Sequence, residues 1–171
     1  ELLDELGTNI SRAMHSLQNR VELEQTNSLL TTLLDLLPVG VLAEDGDRNV
    51  LAANRRLLEL CGLSGTPYEL VGADCAALTE EASDLFADPA AFLDRLEGLM
   101  MARQPVDDEG LQLRDGRTFE RSYRPIELPD SDGHLWMYRD TTERTERRRE
   151  REQRAKALEE MSTRLETQYR Y

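Results

Sequence analysis

The sequence predicts an α+β domain, antiparallel strands with short helices, held between two long helical arms. Three observations carry this. Leucines at helical spacing run up to Pro38, short apolar runs flank Asp45-Gly46 while apolar and polar residues alternate around Asp115-Gly116, and a charged helical run follows Arg139-Asp140-Thr141-Thr142.

Residues 8–37 read as one helix, with Thr8 or Asn9 as its cap after Gly7. Ile10, Met14, Leu17 and Val21 form one narrow apolar seam, and Leu23, Asn27, Leu30 and Leu34 begin a second that runs on to Leu37. Each seam suits a partner helix, and the phase jump between Val21 and Leu23 breaks strict heptad continuity. An amide at Asn27 would set register there, at some cost in stability. Pro38 closes the helix because it has no N–H to donate and restricts Leu37.

A hairpin follows over residues 39–54, turning within 44–49. Asn54 caps a short helix with Leu57, Leu58 and Cys61 on its buried side, and Gly62 stops it. Residues 64–87 read as short helical pieces, with a capped start at Thr79-Glu80-Glu81. Asp88-Pro89 opens a clearer helix, capped by Asp88, whose Phe92, Leu96 and Leu99 share a face. Leu111 and Leu113 belong to a third strand, and Asp115-Gly116 supplies a two-residue hairpin turn. The fourth strand, 117–127, places Phe119, Arg121 and Tyr123 on one face. In the fifth, His134, Trp136 and Tyr138 alternate with Leu135 and Met137, which predicts a central strand covered on both sides. From Thr142 to about residue 169 the chain is helical again. Its first turns form a charged rod with Glu143–Arg147 and Glu150–Arg154 pairs, and Leu158, Met161 and Leu165 make a short seam near its end.

Thirty-four acidic residues against 21 basic leave a formal charge of -13, which argues against nucleic acid or an anionic membrane as partner. Lys156 is the only lysine; the other 20 cations are arginine. An acidic, lysine-poor surface resembles proteins of salt-loving microbes, while a GC-rich genome would also favour arginine codons. No apolar run reaches the ~18 residues of a membrane span and no signal-peptide pattern opens the chain, so a cytoplasmic location is expected. Glu1 in place of an initiator Met points to an excerpt of a longer protein. Cys61 and Cys75 read as reduced core residues, and the two His and two Cys form no zinc spacing.

Several stretches resemble PAS domains of sensor histidine kinases. They are Leu36-Leu37-Pro38-Val39-Gly40-Val41, Asn54 after the second strand, Asp115-Gly116-Arg117-Thr118-Phe119-Glu120-Arg121, Pro125, and Leu135-Trp136-Met137-Tyr138-Arg139-Asp140. The resemblance covers roughly Leu33 to Arg144, and with the composition it points to a haloarchaeal multidomain signalling protein. It implies a five-stranded antiparallel sheet with helices on one face and a small-ligand pocket lined by Leu57, Phe92, Leu96, Phe119, Trp136 and Tyr138. It also implies dimerisation through flanking helices, here Ile10, Met14, Leu17, Val21, Leu23, Asn27, Leu30 and Leu34. Asp140, Thr141, Thr142 and Arg144 would couple the sheet to the output helix, with Asp140 capping that helix or pairing with an Arg such as Arg144. The family's Asp-Ile-Thr motif has Thr141 at its centre here, which removes an apolar anchor. Residues 6–13 resemble the trailing helix of a GAF domain, and residues 168–171 resemble the start of another PAS repeat. The implied plan is a helix over 1–37, a PAS domain over 38–141 and a linker helix over 142–171, with GAF, PAS or kinase neighbours in the same chain.

Other chemistries fit less well. His15 lacks the acidic residue and nearby Pro of a phosphoacceptor. Gly72-Ala73-Asp74-Cys75 is similar to a flavin-photoreceptor motif but continues without its Arg and Gln. The helix from Asp88 to Arg103 offers no His for haem. Arg121 and Arg124 read as anion ligands or as surface partners of Glu120 or Glu127. No nucleophile–base set can be assembled, so catalysis is not expected, nor is a cofactor or metal. A small-molecule sensory relay in a homodimer is the leading expectation. The alternatives are a ligand-free dimerisation scaffold and a flavin- or haem-binding sensor.

Overall fold

The computed structural model describes residues 2–168, with side chains from Arg12 to Glu166 except Ala13. The first helix, α1, runs Leu2–Asp35. It begins well before the predicted Thr8 or Asn9 cap, because Gly7 and Thr8 carry helical backbone without interrupting it. It ends two residues before Leu37, and the chain turns through 36–39 into the sheet.

Strands β1 (Gly40–Asp45), β2 (Val50–Ala53), β3 (Val106–Gln112), β4 (Thr118–Glu127) and β5 (Asp132–Asp140) form one antiparallel sheet in the order β2-β1-β5-β4-β3. Helices α2 (Arg55–Cys61), α3 (Pro67–Leu70), α4 (Cys75–Ser83) and α5 (Pro89–Ala102) lie between β2 and β3 in sequence. The last helix, α6, runs Thr142–Gln168. This is the five-stranded α+β architecture expected.

Local chemistry sets the boundaries of α2 and α5. The Asn54 side chain accepts from the Leu57 N–H, and Gly62 takes the left-handed conformation that ends α2. Asp88 accepts from the Ala91 N–H, and Pro89 sits in the first turn of α5, where its missing donor is harmless. The start predicted at Thr79 lies inside α4 instead. Asp74 caps that helix by accepting from the Ala76 and Ala77 N–H groups. The turn at Asp115-Gly116 is a three-residue loop and not a two-residue one. Leu113 N–H donates to the Arg117 carbonyl across it, and Gly116 at φ 90° closes it.

The core is a one-sided layer. Phe92, Leu96 and Leu99 of α5 and Leu60 of α2 pack on Phe119, Tyr123 and Trp136 of the sheet, with Phe86 and Leu113 at the margin. Strand β5 is central, as predicted, but its two faces differ. His134 and Trp136 are buried under the helices, whereas Leu135 and Met137 on the opposite face are only half-buried. Residues of α2 to α5 pack on the face that carries Phe119 and Trp136, and among the described residues the opposite face of β5 is left half-covered.

A bulge in β3 decides which charges meet. Val106 pairs with Tyr123 and Glu109 pairs with Arg121, so three steps on β3 match two on β4. Asp108 takes φ 49° to absorb the extra residue, and its N–H donates to Ser122 Oγ at 3.1 Å. The one-residue slip turns Glu109 toward the helix-covered face.

Candidate functional site

Two regions carry chemistry: the space between helices and sheet, and the junction of β5 with α6.

A cavity of about 70 Å3 lies under the helices, walled by Leu42, Leu57, Leu60, Leu78, Phe92 and Phe119, with Tyr138 among its few polar groups. Of the six residues expected at a pocket, Leu57, Phe92, Phe119 and Tyr138 line it. Leu96 and Trp136 do not; both are buried in the packed core. Cys61 and Cys75 also face this space, although sequence reasoning placed them only as core thiols. Burial pushes Cys61 up to about 11, with Arg117 opposing. Burial and the Glu44 carboxylate push Cys75 up to about 12. Both thiols are therefore protonated near neutral pH. Burial also raises Tyr138, against the pull of Arg121.

Several polar groups beneath the helices are paired, across the sheet or between sheet and helix. Glu44 is fully buried and accepts from Trp136 Nε1 at 2.8 Å and from Arg48 Nε at 3.0 Å. Arg48 reaches Thr79 Oγ1 at 3.3 Å. Tyr123 Oη and His134 Nδ1 share a hydrogen bond of 2.8 Å, and burial lowers the His134 pKa. Arg121 is fully buried. It joins neither Glu120 nor Glu127 but Glu109, donating from Nε at 3.1 Å and from Nη2. Arg95 Nε donates to the other Glu109 oxygen at 2.6 Å. Burial opposes ionisation of Glu109, but the hydrogen bonds from Arg121 and Arg95 outweigh it and hold the carboxyl below the usual range. Glu44, Glu109 and Tyr123–His134 escaped sequence reasoning. The available signal was the buried Trp136, whose indole N–H requires an acceptor.

Asn54 ties α1 to the sheet. Its Oδ1 accepts from the Val41 N–H at 2.8 Å as well as from Leu57, while Nδ2 donates to the Leu34 carbonyl at 2.8 Å and the Val39 carbonyl at 2.9 Å. Asp35 adds a bond from the Arg55 N–H at 2.8 Å.

At the other end, β5 passes into α6 without a loop. Thr141 is buried; its N–H donates to the Thr118 carbonyl at 2.9 Å and its hydroxyl to the same oxygen at 3.2 Å. A hydrogen-bonding anchor thus stands where the family motif has an apolar one. Thr142 Oγ1 accepts from the Thr118 N–H at 3.1 Å, and Asp140 accepts from the Thr142 N–H at 2.9 Å and from its hydroxyl at 2.6 Å. Of the two roles expected for Asp140, it takes the first-turn cap. Arg144 faces Glu120 instead, at 3.7 Å. From Glu146 to Glu166 every α6 side chain is exposed.

The predicted α1 seams are solvent-facing in the single chain. Met14, Leu17, Val21, Leu23, Asn27 and Leu30 are exposed and Leu34 is half-buried. The Ile10 side chain, the side chains of residues 6–11 and Ala13 in the GAF-like stretch, and residues 169–171 of the repeat-like end lie outside what is described. Among the described residues no helix is long and apolar enough to cross a membrane. None of their His, Cys, Asp and Glu gather as a metal-holding group of three or more.

The family described as "PAS fold" matches residues 34–146, most of the chain, and the chain belongs to the PAS family. No curated protein matches. Solved structures share the fold at low identity. The PAS domain of Bordetella pertussis BvgS is 20% identical, with 78% of this chain and 98% of that one covered and a TM-score of 0.51. The Escherichia coli DhaR(N)–DhaL complex gives 15% identity, 72% and 38% coverage and a TM-score of 0.53. The PAS domain of an HTR-like protein from Haloarcula marismortui gives 22% identity, 72% and 98% coverage and a TM-score of 0.48.

Proposed function

We propose that this chain is a sensory relay module of a cytoplasmic multidomain signal-transduction protein, with a histidine kinase as the parent. The carrying observation is the loop-free junction. Asp140 is hydrogen-bonded to Thr142, and Thr141 and Thr142 are both bonded to Thr118 on the neighbouring strand, so a shift of β4 against β5 moves the first turn of α6. At the opposite end Asn54 and Asp35 connect α1 to the same sheet. Input and output helices thus share one mechanical element.

The module works as a parallel homodimer. Exposed Met14, Leu17, Val21, Leu23 and Leu30 need cover that one chain does not supply. Parallel pairing sends both output helices the same way. Replacing Leu30 and Leu34 with Lys yields monomers in sedimentation; a monomeric wild type at high concentration would refute the dimer.

The relay is tested in the full-length parent by Asp140→Ala. The α6 cap is lost, the sheet remains, and the signal response disappears; an unchanged response would make the junction a plain connector. A ligand-free scaffold draws support from the small interior cavity. Native mass spectrometry of the purified chain separates the two: a co-purified small molecule supports sensing, and Arg121 offers a more specific probe.

A further inference from the structure

Arg121 keeps an unused donor where one is costly. Its Nη1 is buried and has no hydrogen-bond partner, while Nε and Nη2 both go to one oxygen of Glu109. A buried, unpaired charged donor ordinarily marks a group waiting for a water, an ion or a ligand. The other oxygen of Glu109 accepts from Arg95, so the carboxylate is already shared between two guanidinium groups. Asp88 is the second carboxylate lining the groove beside them, so the fixed charges there balance and what is left over is a donor. Asp88 also caps α5 by accepting from the Ala91 N–H.

The surroundings are aromatic. The Arg121 guanidinium carbon sits 5.5 Å from the Phe92 ring centroid and 5.9 Å from that of Trp136. Phe86 stacks on Phe92 at 3.8 Å. Arg121 and these two phenylalanines line a groove of about 350 Å3 between the start of α5 and β3. Phe86 and Phe92 also wall the interior cavity, which places them between the groove and Tyr138.

We propose that Arg121 anchors a small monocarboxylate with a planar apolar body, held through Nη1 and packed on Phe92. A carboxylate matches the flat guanidinium and brings only one negative charge to a groove whose fixed charges balance. A phosphate dianion fits worse, because Glu109 and Asp88 line the same groove and repel it. The rings supply the apolar contact that free anions cannot use.

This rests on the sensory reading, but its test uses the isolated chain and reads binding, so it fails independently of the output assay. Benzoate, benzamide, inorganic phosphate and chloride are titrated at constant ionic strength by calorimetry and thermal unfolding. Benzoate is expected to bind saturably and raise Tm, while benzamide and phosphate leave it unchanged. Arg121→Met should weaken benzoate by about ten-fold or more, the scale of a lost charge-assisted hydrogen bond. Should that variant not fold, the guanidinium 15N signals of Arg121 in the wild type report instead and should shift on benzoate addition. Equal responses to benzoate and benzamide, full occupancy by chloride alone, no response to benzoate, or an unmoved Arg121 signal would each overturn the proposal.

Discussion

Asn54→Ala is expected to be among the most damaging polar substitutions in the domain. Asn54 is fully buried, and its side chain makes four hydrogen bonds to backbone groups of three separate segments. Loss of the α2 cap costs about 1 kcal/mol, softened because Leu57 N–H also reaches the Asn54 carbonyl at 3.1 Å. The buried Val41 N–H is stranded, at roughly 1–3 kcal/mol. The Leu34 carbonyl retains a long bond from Leu37 N–H at 3.3 Å, and both carbonyls held by Nδ2 lie in partly buried positions, so they contribute less. The sum is about 3 kcal/mol, which corresponds to a fall in Tm of roughly 10 °C or more for a domain of this size. Chemical denaturation gives the free energy, and hydrogen exchange of the last turn of α1 reports the broken tether. Asn54→Asp divides the effect. It keeps both acceptor bonds and the α2 cap but sets a carboxylate against the Leu34 and Val39 carbonyls, so α1 should detach while α2 stays formed. A loss below about 0.5 kcal/mol in Asn54→Ala, within the range of ordinary surface changes, would refute the reasoning.

Three further outcomes are expected. Cys61 and Cys75, with thiols pushed up to about 11 and about 12, should resist alkylation at pH 8 in the native state and react on unfolding; fast native labelling would contradict their burial. Burial lowers the pKa of His134 below the ordinary 6.5. The unfolded chain therefore binds the proton more readily, and stability should fall as pH drops through 6.5 and level off below the folded pKa; urea titrations at pH 7.5 and 5.5 should show a smaller drop for His134→Gln. With a formal charge of -13, the domain should gain Tm as salt screens self-repulsion, and a Tm equal in dilute buffer and molar salt would leave codon usage to explain the arginines.

The α5 face of Phe92, Leu96 and Leu99, the alternation of Phe119, Arg121 and Tyr123, and the caps at Asn54 and Asp88 were legible in the sequence. Each depends on residues within a turn or two of one another, whose spacing already states the geometry. The charged partners were not legible. Neighbours Glu120 and Arg121 point to opposite faces of β4, so adjacency misleads there. Glu109 reaches Arg121 only because the bulge at Asp108 flips its side chain across the sheet. Glu44 meets Trp136 across 92 positions through the pairing of β1 with β5. Likewise Arg144 turns to Glu120 and leaves Asp140 to Thr142, because the first turn of α6 lies beside β4. The sequence by itself determined the elements and the faces they bury, since helix and strand periodicity are local properties. Which charges became partners, and which donor was left over, was decided by strand register, a property the chain acquires only when distant segments pair.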